Sequence, residues 1–114
     1  MELPVVNHPD YVAKINDDNK FPIKKFGALA DHLIKEGVVK KFYIPQECST
    51  ETMKTSHSME YINHIRNKTL DIKLQKKIGF PINDSVVRRS FVATGGTVLA
   101  SKLALNSKLA CNTA

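Results

Sequence analysis

The sequence has no tryptophan, only two cysteines and no long run of apolar residues. No segment approaches the roughly 20 consecutive apolar residues that span a bilayer. The start, Met1 to Pro4, also lacks the basic and apolar regions of a secretory signal. Cys48 and Cys111 lie far apart without CxxC spacing, which argues against a disulfide framework and against a zinc knuckle. These absences predict a cytoplasmic protein with free thiols and no membrane partner.

The composition is otherwise that of an ordinary globular protein. Of 114 residues, 42% are hydrophobic and 25% are charged, which excludes collagen-like and low-complexity material. The length suits one domain or part of one, and it argues against a two-domain enzyme complete in this chain.

The basic excess lies entirely in the second half of the chain. The formal net charge is +6, and residues 1–50 carry equal numbers of acidic and basic side chains. The run from Arg66 to Lys77 contains no aromatic side chain for stacking on bases, so we expect a solvated basic face and no nucleic-acid partner. A stand-alone basic module that binds nucleic acid or an acidic protein through residues 66–89 is the alternative.

Strand-like and helical patterns alternate along the chain. Apolar residues from Phe26 to Ile34 recur with helical spacing before Gly37, and Asp84 can cap a long, largely buried helix. Residues 70–78 fit either period, and we favour a helix there. In chain order the predicted elements are a strand at 3–6, a helix at 22–37, a strand at 41–45, two short helices within 50–66, a helix at 70–78, a helix at 84–105 and a strand at 109–112.

This order predicts an α/β domain with a parallel sheet, because each crossover is long enough to return the chain in the same direction. Ligands of such sheets gather beyond the carboxyl ends of the strands. Those ends are Asn7 to Asp10 and Pro45 to Glu47, and a third would follow Thr113. A buried strand is a poor last element, so we expect residues 1–114 to be the front portion of a larger domain. Exposed strands could then pair with another copy as a homo-oligomer.

No histidine pair has the spacing of a zinc site within one helix, so no metal site is predicted from this chain alone. His32 and His57 are expected to make structural hydrogen bonds. His8 differs because it follows the first strand, at the edge where a ligand would bind. No arrangement of nucleophile, base and orienting carboxylate can be argued for Cys48 or Cys111.

Gly95 and Gly96 lie inside the predicted long helix. They resemble a phosphate loop only weakly, because the GK[ST] ending and a preceding strand are missing. Two glycines in a helix cost about 1 kcal/mol each relative to alanine. We therefore expect another backbone, such as a sheet strand, to approach this face closely.

Together these segments resemble the N-terminal part of the zinc-dependent histone deacetylase family, nearest to its class IV and bacterial deacetylase-like members. The resemblance covers nearly the whole chain in the family's order. Its motifs are NHPDY at 7–11, FPIKKF at 21–26, HSMEYI at 57–62, KIGFP at 77–81, RRSFVATGGTVLA at 88–100 and LACNTA at 109–114.

The resemblance implies an arginase/deacetylase-type doubly wound parallel sheet with flanking helices, of which residues 1–114 are the N-terminal portion. It also implies a zinc ion, held by two aspartates and a histidine, that activates water for hydrolysis of an acetyl-lysine amide. None of those residues can be placed in this chain, so we expect it to bind no zinc and to be inactive alone. The implied substrate is an acyl-lysine protein or an acetylated small amine.

Residues at the rim of the substrate channel are the only ones that the resemblance places here. Lys24, or its neighbour Lys25, occupies an often basic position of the first rim loop. Phe80 and Pro81 resemble a later rim loop, whose aromatic side chain meets the acyl-lysine stem. His8 is added by the strand-end argument. Class IV relatives commonly have tryptophan where Ile82 stands, so this chain departs from the family's rim there.

Overall fold

Helices dominate the computed structural model, which describes residues 2–114. Helices account for 51% of the chain and strands for 4%. None of the helices in this described range combines the length and apolar character needed to cross a bilayer. In chain order the elements are strand β1 (Val5–Val6), a 3-10 turn (Pro9–Tyr11), helices α1 (Lys25–Lys35), α2 (Thr50–Met53), α3 (Met59–Asn67), α4 (Ile72–Ile78) and α5 (Asp84–Ser107), and strand β2 (Cys111–Asn112).

The predicted doubly wound parallel sheet is wrong. Residues 2–114 form one two-stranded sheet, in which β1 pairs in parallel with β2 and Val5 lies opposite Cys111. The predicted strand at 41–45 contributes a single parallel bridge between Val6 and Tyr43. The alternation of strands and helices predicts that successive strands run in the same direction. A β-sheet also needs several consecutive backbone hydrogen bonds between neighbouring strands, which this alternation does not ensure. Pro4 and Pro45 lack N–H donors, and the chain turns directly after β1, so the ladders remain short.

The predicted helices are confirmed, and local caps explain their limits. Helix α1 follows Pro22 and is closed by Gly37 at φ 71°. Residues 70–78, which fitted two periods, are helical because Asp71 accepts a hydrogen bond from the Lys73 N–H at 2.7 Å. Gly79 ends α4 at φ 90°. The cap at Asp71 and the positive φ of Gly79 therefore explain why residues 72–78 form a helix, which hydrophobic periodicity alone did not determine.

Helix α5 is buried only in its first half. Its buried residues end at Gly96, whereas Leu105 near its end is 86% exposed. The prediction of a largely buried helix is thus correct up to Gly96 and wrong beyond it. The reason is that the chain elements that cover α5 pack mainly against its first three turns and beside Gly95 and Gly96.

The main core joins the loop after β1, the start of α1 and the first half of α5. Tyr11 and Val92 are completely buried there, and Phe80 packs against the same cluster from the loop before α5. The remaining members of the cluster are Ala13, Ile15, Ile23, Phe26, Ile82, Val86 and Ala93. This core fixes the two loops that the family resemblance places at the substrate rim.

Candidate functional site

Polar side chains meet at the carboxyl ends of β1 and β2, because the two strands run in parallel. The Thr113 hydroxyl donates a hydrogen bond to Asn7 Oδ1 at 2.8 Å. The Tyr11 hydroxyl donates to Asn112 Oδ1 at 2.7 Å. The sequence predicted strand ends at Asn7 to Asp10 and just past Thr113, and the parallel pairing of β1 with β2 brings residues next to both ends together.

The Tyr11 phenol acts as a neutral hydrogen-bond donor. Burial raises its pKa to about 12, while the hydrogen bond to Asn112 and the charge of Arg89 act in the opposite direction. The Arg89 guanidinium itself donates to the Tyr11 carbonyl at 2.7 Å, and burial lowers the pKa of Arg89. The phenol therefore keeps its proton over the physiological range.

The strand-end network is internally satisfied. Asn112 Nδ2 lies 3.3 Å from both the Ala93 carbonyl and the Thr97 hydroxyl, against the bare face of Gly96. In residues 2–114, no buried side-chain nitrogen or oxygen lacks a hydrogen-bond partner. The arrangement consequently serves to fix β2 on α5, and it offers no spare buried donor to a ligand.

Arg88 connects the first and the second predicted strand ends. Its Nε lies 3.0 Å from Asp10 Oδ2, and its Nη1 lies 2.9 Å from Glu47 Oε2. The hydrogen bond that Arg88 donates to the Asp10 carboxylate is the main cause of a raised Arg88 pKa. Asp10 and Glu47 belong to the first and second predicted strand ends, so one cation on α5 holds both.

His8 caps the 3-10 turn after β1. Its Nδ1 accepts a hydrogen bond from the Asp10 N–H at 2.9 Å, and its side chain is only 14% exposed. In the neutral ring the proton is therefore on Nε2, which leaves Nε2 as the free donor. The hydrogen bond from Asp10 occupies one ring nitrogen of His8 in the turn. Contact between His8 and a ligand stays a prediction.

The two predicted rim loops lie side by side, although they are far apart in the sequence. The rings of Phe21 and Phe80 are 5.6 Å apart, and Asn19 Nδ2 donates to the Gly79 carbonyl at 3.1 Å. The Phe21 ring is also 6.0 Å from that of Phe26, at the start of α1. A continuous aromatic surface thus joins the two loops.

The other proposed rim residues differ in their surroundings. Lys24 is exposed, and its Nζ lies 3.0 Å from Asp17 Oδ1 within the first loop. Pro81 is exposed beside Phe80. Throughout the described chain, no hydrogen bond or ring contact links His8 to either loop. The structure therefore groups Phe80, Pro81 and the Phe21 loop, and it leaves His8 in a separate turn.

An apolar cavity that the sequence did not predict lies between α3, α4 and the first half of α5. Its volume is about 280 Å³, and Phe80 forms part of its wall. Ile62 and Ile65 line it from α3, and Val87 and Phe91 line it from α5. The helical spacing of these apolar residues was visible in the sequence, but the distance between the helices was not.

Much of the basic segment is engaged with the protein itself. The Arg66 guanidinium lies 4.0 Å from the centre of the Phe91 ring, and Lys68 pairs with Asp84. Arg88 and Arg89 make the contacts described above. These engagements do not favour a basic face arranged for nucleic acid.

Within residues 2–114, no group of three or more histidine, cysteine, aspartate or glutamate side chains is placed to hold a metal ion. The residues present therefore do not fit the zinc site of the family that the sequence resembles.

Comparison with known proteins gives a relative that matches the whole chain. No family model matches the chain. An uncharacterised protein of Picosynechococcus sp. is 40% identical to it over 116 residues, an alignment that covers 100% of this chain and 39% of the relative. The chain thus spans about 39% of the length of the curated protein that it matches.

Proposed function

We propose that this chain is the N-terminal part of a zinc-dependent amidohydrolase, which removes acyl groups from acetyl-lysine or a related amine. In this proposal the chain provides part of the substrate rim and is inactive alone. The contact between the Phe21 and Phe80 loops is the observation that carries the proposal, since the resemblance places both loops at one rim and they lie in contact.

The loop pair has the chemistry expected of a rim for an acyl-lysine stem. The stem is a chain of methylene groups, which gains free energy by leaving water against apolar rings. Phe21 is 36% exposed, so the aromatic surface is accessible. The Asn19 to Gly79 hydrogen bond holds the loops together, which reduces the entropy lost when a substrate orders them.

Zinc belongs to the longer protein in this proposal. The described residues provide no ligand group for it, so their role is to bind and orient the substrate and exclude water. The greater length of the relative is consistent with further residues that complete the site. The free cysteines Cys48 and Cys111 agree with the proposed cytoplasmic location.

The test compares this chain alone with a chimera. The chimera carries residues 1–114 in place of the matching segment of the Picosynechococcus protein, and that relative is assayed beside it. Zinc content and hydrolysis are measured with an acetyl-lysine peptide and with an acetylated diamine, which distinguishes protein from small-amine substrates. We expect zinc and hydrolysis in the relative and the chimera, and neither in the chain alone.

Variants of the chimera test the rim itself. Phe80→Ala should raise the KM for the peptide about fivefold, because a contact worth about 1 kcal/mol is lost. Leu105→Ala, at an exposed position, is the matched control and should leave KM unchanged. Hydrolysis by the 114-residue chain alone would contradict the division of roles. Absence of hydrolysis by a zinc-loaded relative and chimera on both substrates would contradict the function.

A further inference from the structure

The apolar cavity between α3, α4 and α5 has the size of a small-molecule site. It has a volume of about 280 Å³. An engineered apolar cavity of about 150 Å³ binds benzene, so this one can hold a chain of about six to ten carbons. The residues that line it are Met53, His57, Tyr61, Ile62, Ile65, Ile78, Phe80, Ile82, Val86, Val87, Ser90, Phe91 and Thr94.

Polar side chains in the lining are few, and the hydroxyl hydrogens of Ser90 and Thr94 are already used. The Ser90 hydroxyl donates to the Val86 carbonyl at 2.9 Å, and the Thr94 hydroxyl donates to the Ser90 carbonyl at 2.8 Å. The rings of His57 and Tyr61 lie 5.6 Å apart at the side of α3. The cavity therefore suits an apolar ligand body. Its lining contains no lysine or arginine, so an anionic ligand head needs a charged partner outside the lining.

Arg66 provides that partner. Its guanidinium lies 4.0 Å from the centre of the Phe91 ring, which forms one wall of the cavity. No carboxylate of residues 2–114 pairs with Arg66, whereas Lys68 and Arg88 each have an acidic partner. An exposed guanidinium beside an apolar cavity favours an anion, and carboxylates match its fork of donors.

We propose that this cavity binds a small amphipathic carboxylate, with its apolar chain between α3 and α5 and its carboxylate on Arg66. This proposal does not depend on the amidohydrolase function, although Phe80 belongs both to the cavity wall and to the proposed rim. The 114-residue chain contains every residue of the proposed site, so the test uses this chain directly.

The experiment titrates the ¹⁵N-labelled chain with octanoate, octanol and octylamine, followed by NMR chemical shifts. We expect saturable shifts in α3 and α5 with octanoate, weaker binding of octanol and the weakest binding of octylamine. Arg66→Gln should weaken octanoate binding about threefold to fivefold, as for an exposed ion pair, and leave octanol binding unchanged. Lys73→Gln, an equal charge change on exposed α4, is the matched control and should alter neither.

Two further variants locate the bound chain. Ser90→Phe and Thr94→Phe each place a ring in the cavity from an exposed position of α5, and both should abolish octanoate binding while the helical circular dichroism is kept. Val38→Ser alters a different apolar surface and should leave binding unchanged. Equal affinity for octanoate and octylamine, binding that survives both phenylalanine variants, or no saturable binding would each overturn the proposal.

Discussion

Tyr11 is the residue on which three distant parts of the chain converge. Its ring is completely buried, its hydroxyl donates to Asn112, and its carbonyl accepts from Arg89. The hydroxyl also occupies the space that a side chain at position 96 would fill, since a Cβ on Gly96 would lie 2.0 Å from it. In the sequence Tyr11 is only the last residue of the NHPDY motif, because its partner Asn112 is 101 positions away.

Tyr11 makes the free energy of unfolding decrease at alkaline pH. Its pKa is raised from 10.0 to about 12 by burial, so between these values the unfolded state loses the proton first. The free energy of unfolding should therefore be unaffected by this group below pH 10 and should fall as the pH rises towards 12. Burial also raises the pKa of the Cys48 thiol, so this group too lowers the free energy of unfolding as the pH rises. Urea unfolding at closely spaced pH values measures the change.

Replacement of the hydroxyl separates Tyr11 from other alkaline effects. Tyr11→Phe should lower stability at pH 8, because the hydrogen bond to Asn112 is lost, and should show a smaller further decline up to pH 12. Tyr43→Phe is the control, since Tyr43 is 48% exposed. An alkaline decline of the same size in Tyr11→Phe and the unsubstituted chain would assign the effect to other groups.

At the scale of elements, the start of α5 shows which of two neighbouring residues serves as the helix N-cap. The sequence predicted Asp84 as the cap, but Asn83 Oδ1 accepts the hydrogen bond from the Val86 N–H at 3.0 Å. Asn83 Nδ2 also donates to the Lys14 carbonyl at 2.9 Å, which an aspartate could not do. Asp84 instead lies in the first turn and pairs with Lys68. Both residues suit a helix start, so only the tertiary contact with Lys14 distinguishes them.

Asn83→Ala should lower the free energy of unfolding by about 1 to 2 kcal/mol, as loss of a helix N-cap does. Asp84→Ala should cost about 0.5 kcal/mol, since it removes an exposed ion pair and a favourable charge at the helix start. Asn83→Asp keeps the capping oxygen and loses the Lys14 contact, so its stability should lie between those of Asn83→Ala and the unsubstituted chain. Chemical unfolding measures all three, and a larger loss for Asp84→Ala would restore Asp84 as the cap.

At the scale of the whole molecule, the glycine pair allows α5 to contact two other segments. A Cβ on Gly95 would lie 1.9 Å from the Gln46 carbonyl oxygen and 2.9 Å from the Cys48 nitrogen. The Cys48 N–H donates to the Phe91 carbonyl at 2.8 Å, which ties this segment to the helix. The predicted close approach of another backbone is confirmed, although residues 46–48 form a loop and not a sheet strand.

Gly95→Ala should lower the free energy of unfolding by about 3 kcal/mol, because the obstructing atoms are backbone and the segment must move as a unit. Gly27→Ala in α1 is the matched control. There a Cβ would meet only a Val12 methyl group at 3.2 Å, and alanine is favoured in a helix by about 1 kcal/mol. Thermal or urea unfolding compares the two variants. Equal stability of Gly95→Ala and the unsubstituted chain would mean that the close packing of residues 46–48 on α5 is absent in solution.

The sequence by itself determined the helices, their order and the need for a close contact at Gly95 and Gly96. Periodicity, caps and glycine positions are local properties, so they could be identified without partners. The tertiary structure decided that the sheet has two short strands, that Asn83 is the cap and that the Phe21 and Phe80 loops touch. It also decided that a cavity opens between α3 and α5 beside Arg66. These features depend on distances between segments far apart in the chain, which no local pattern encodes.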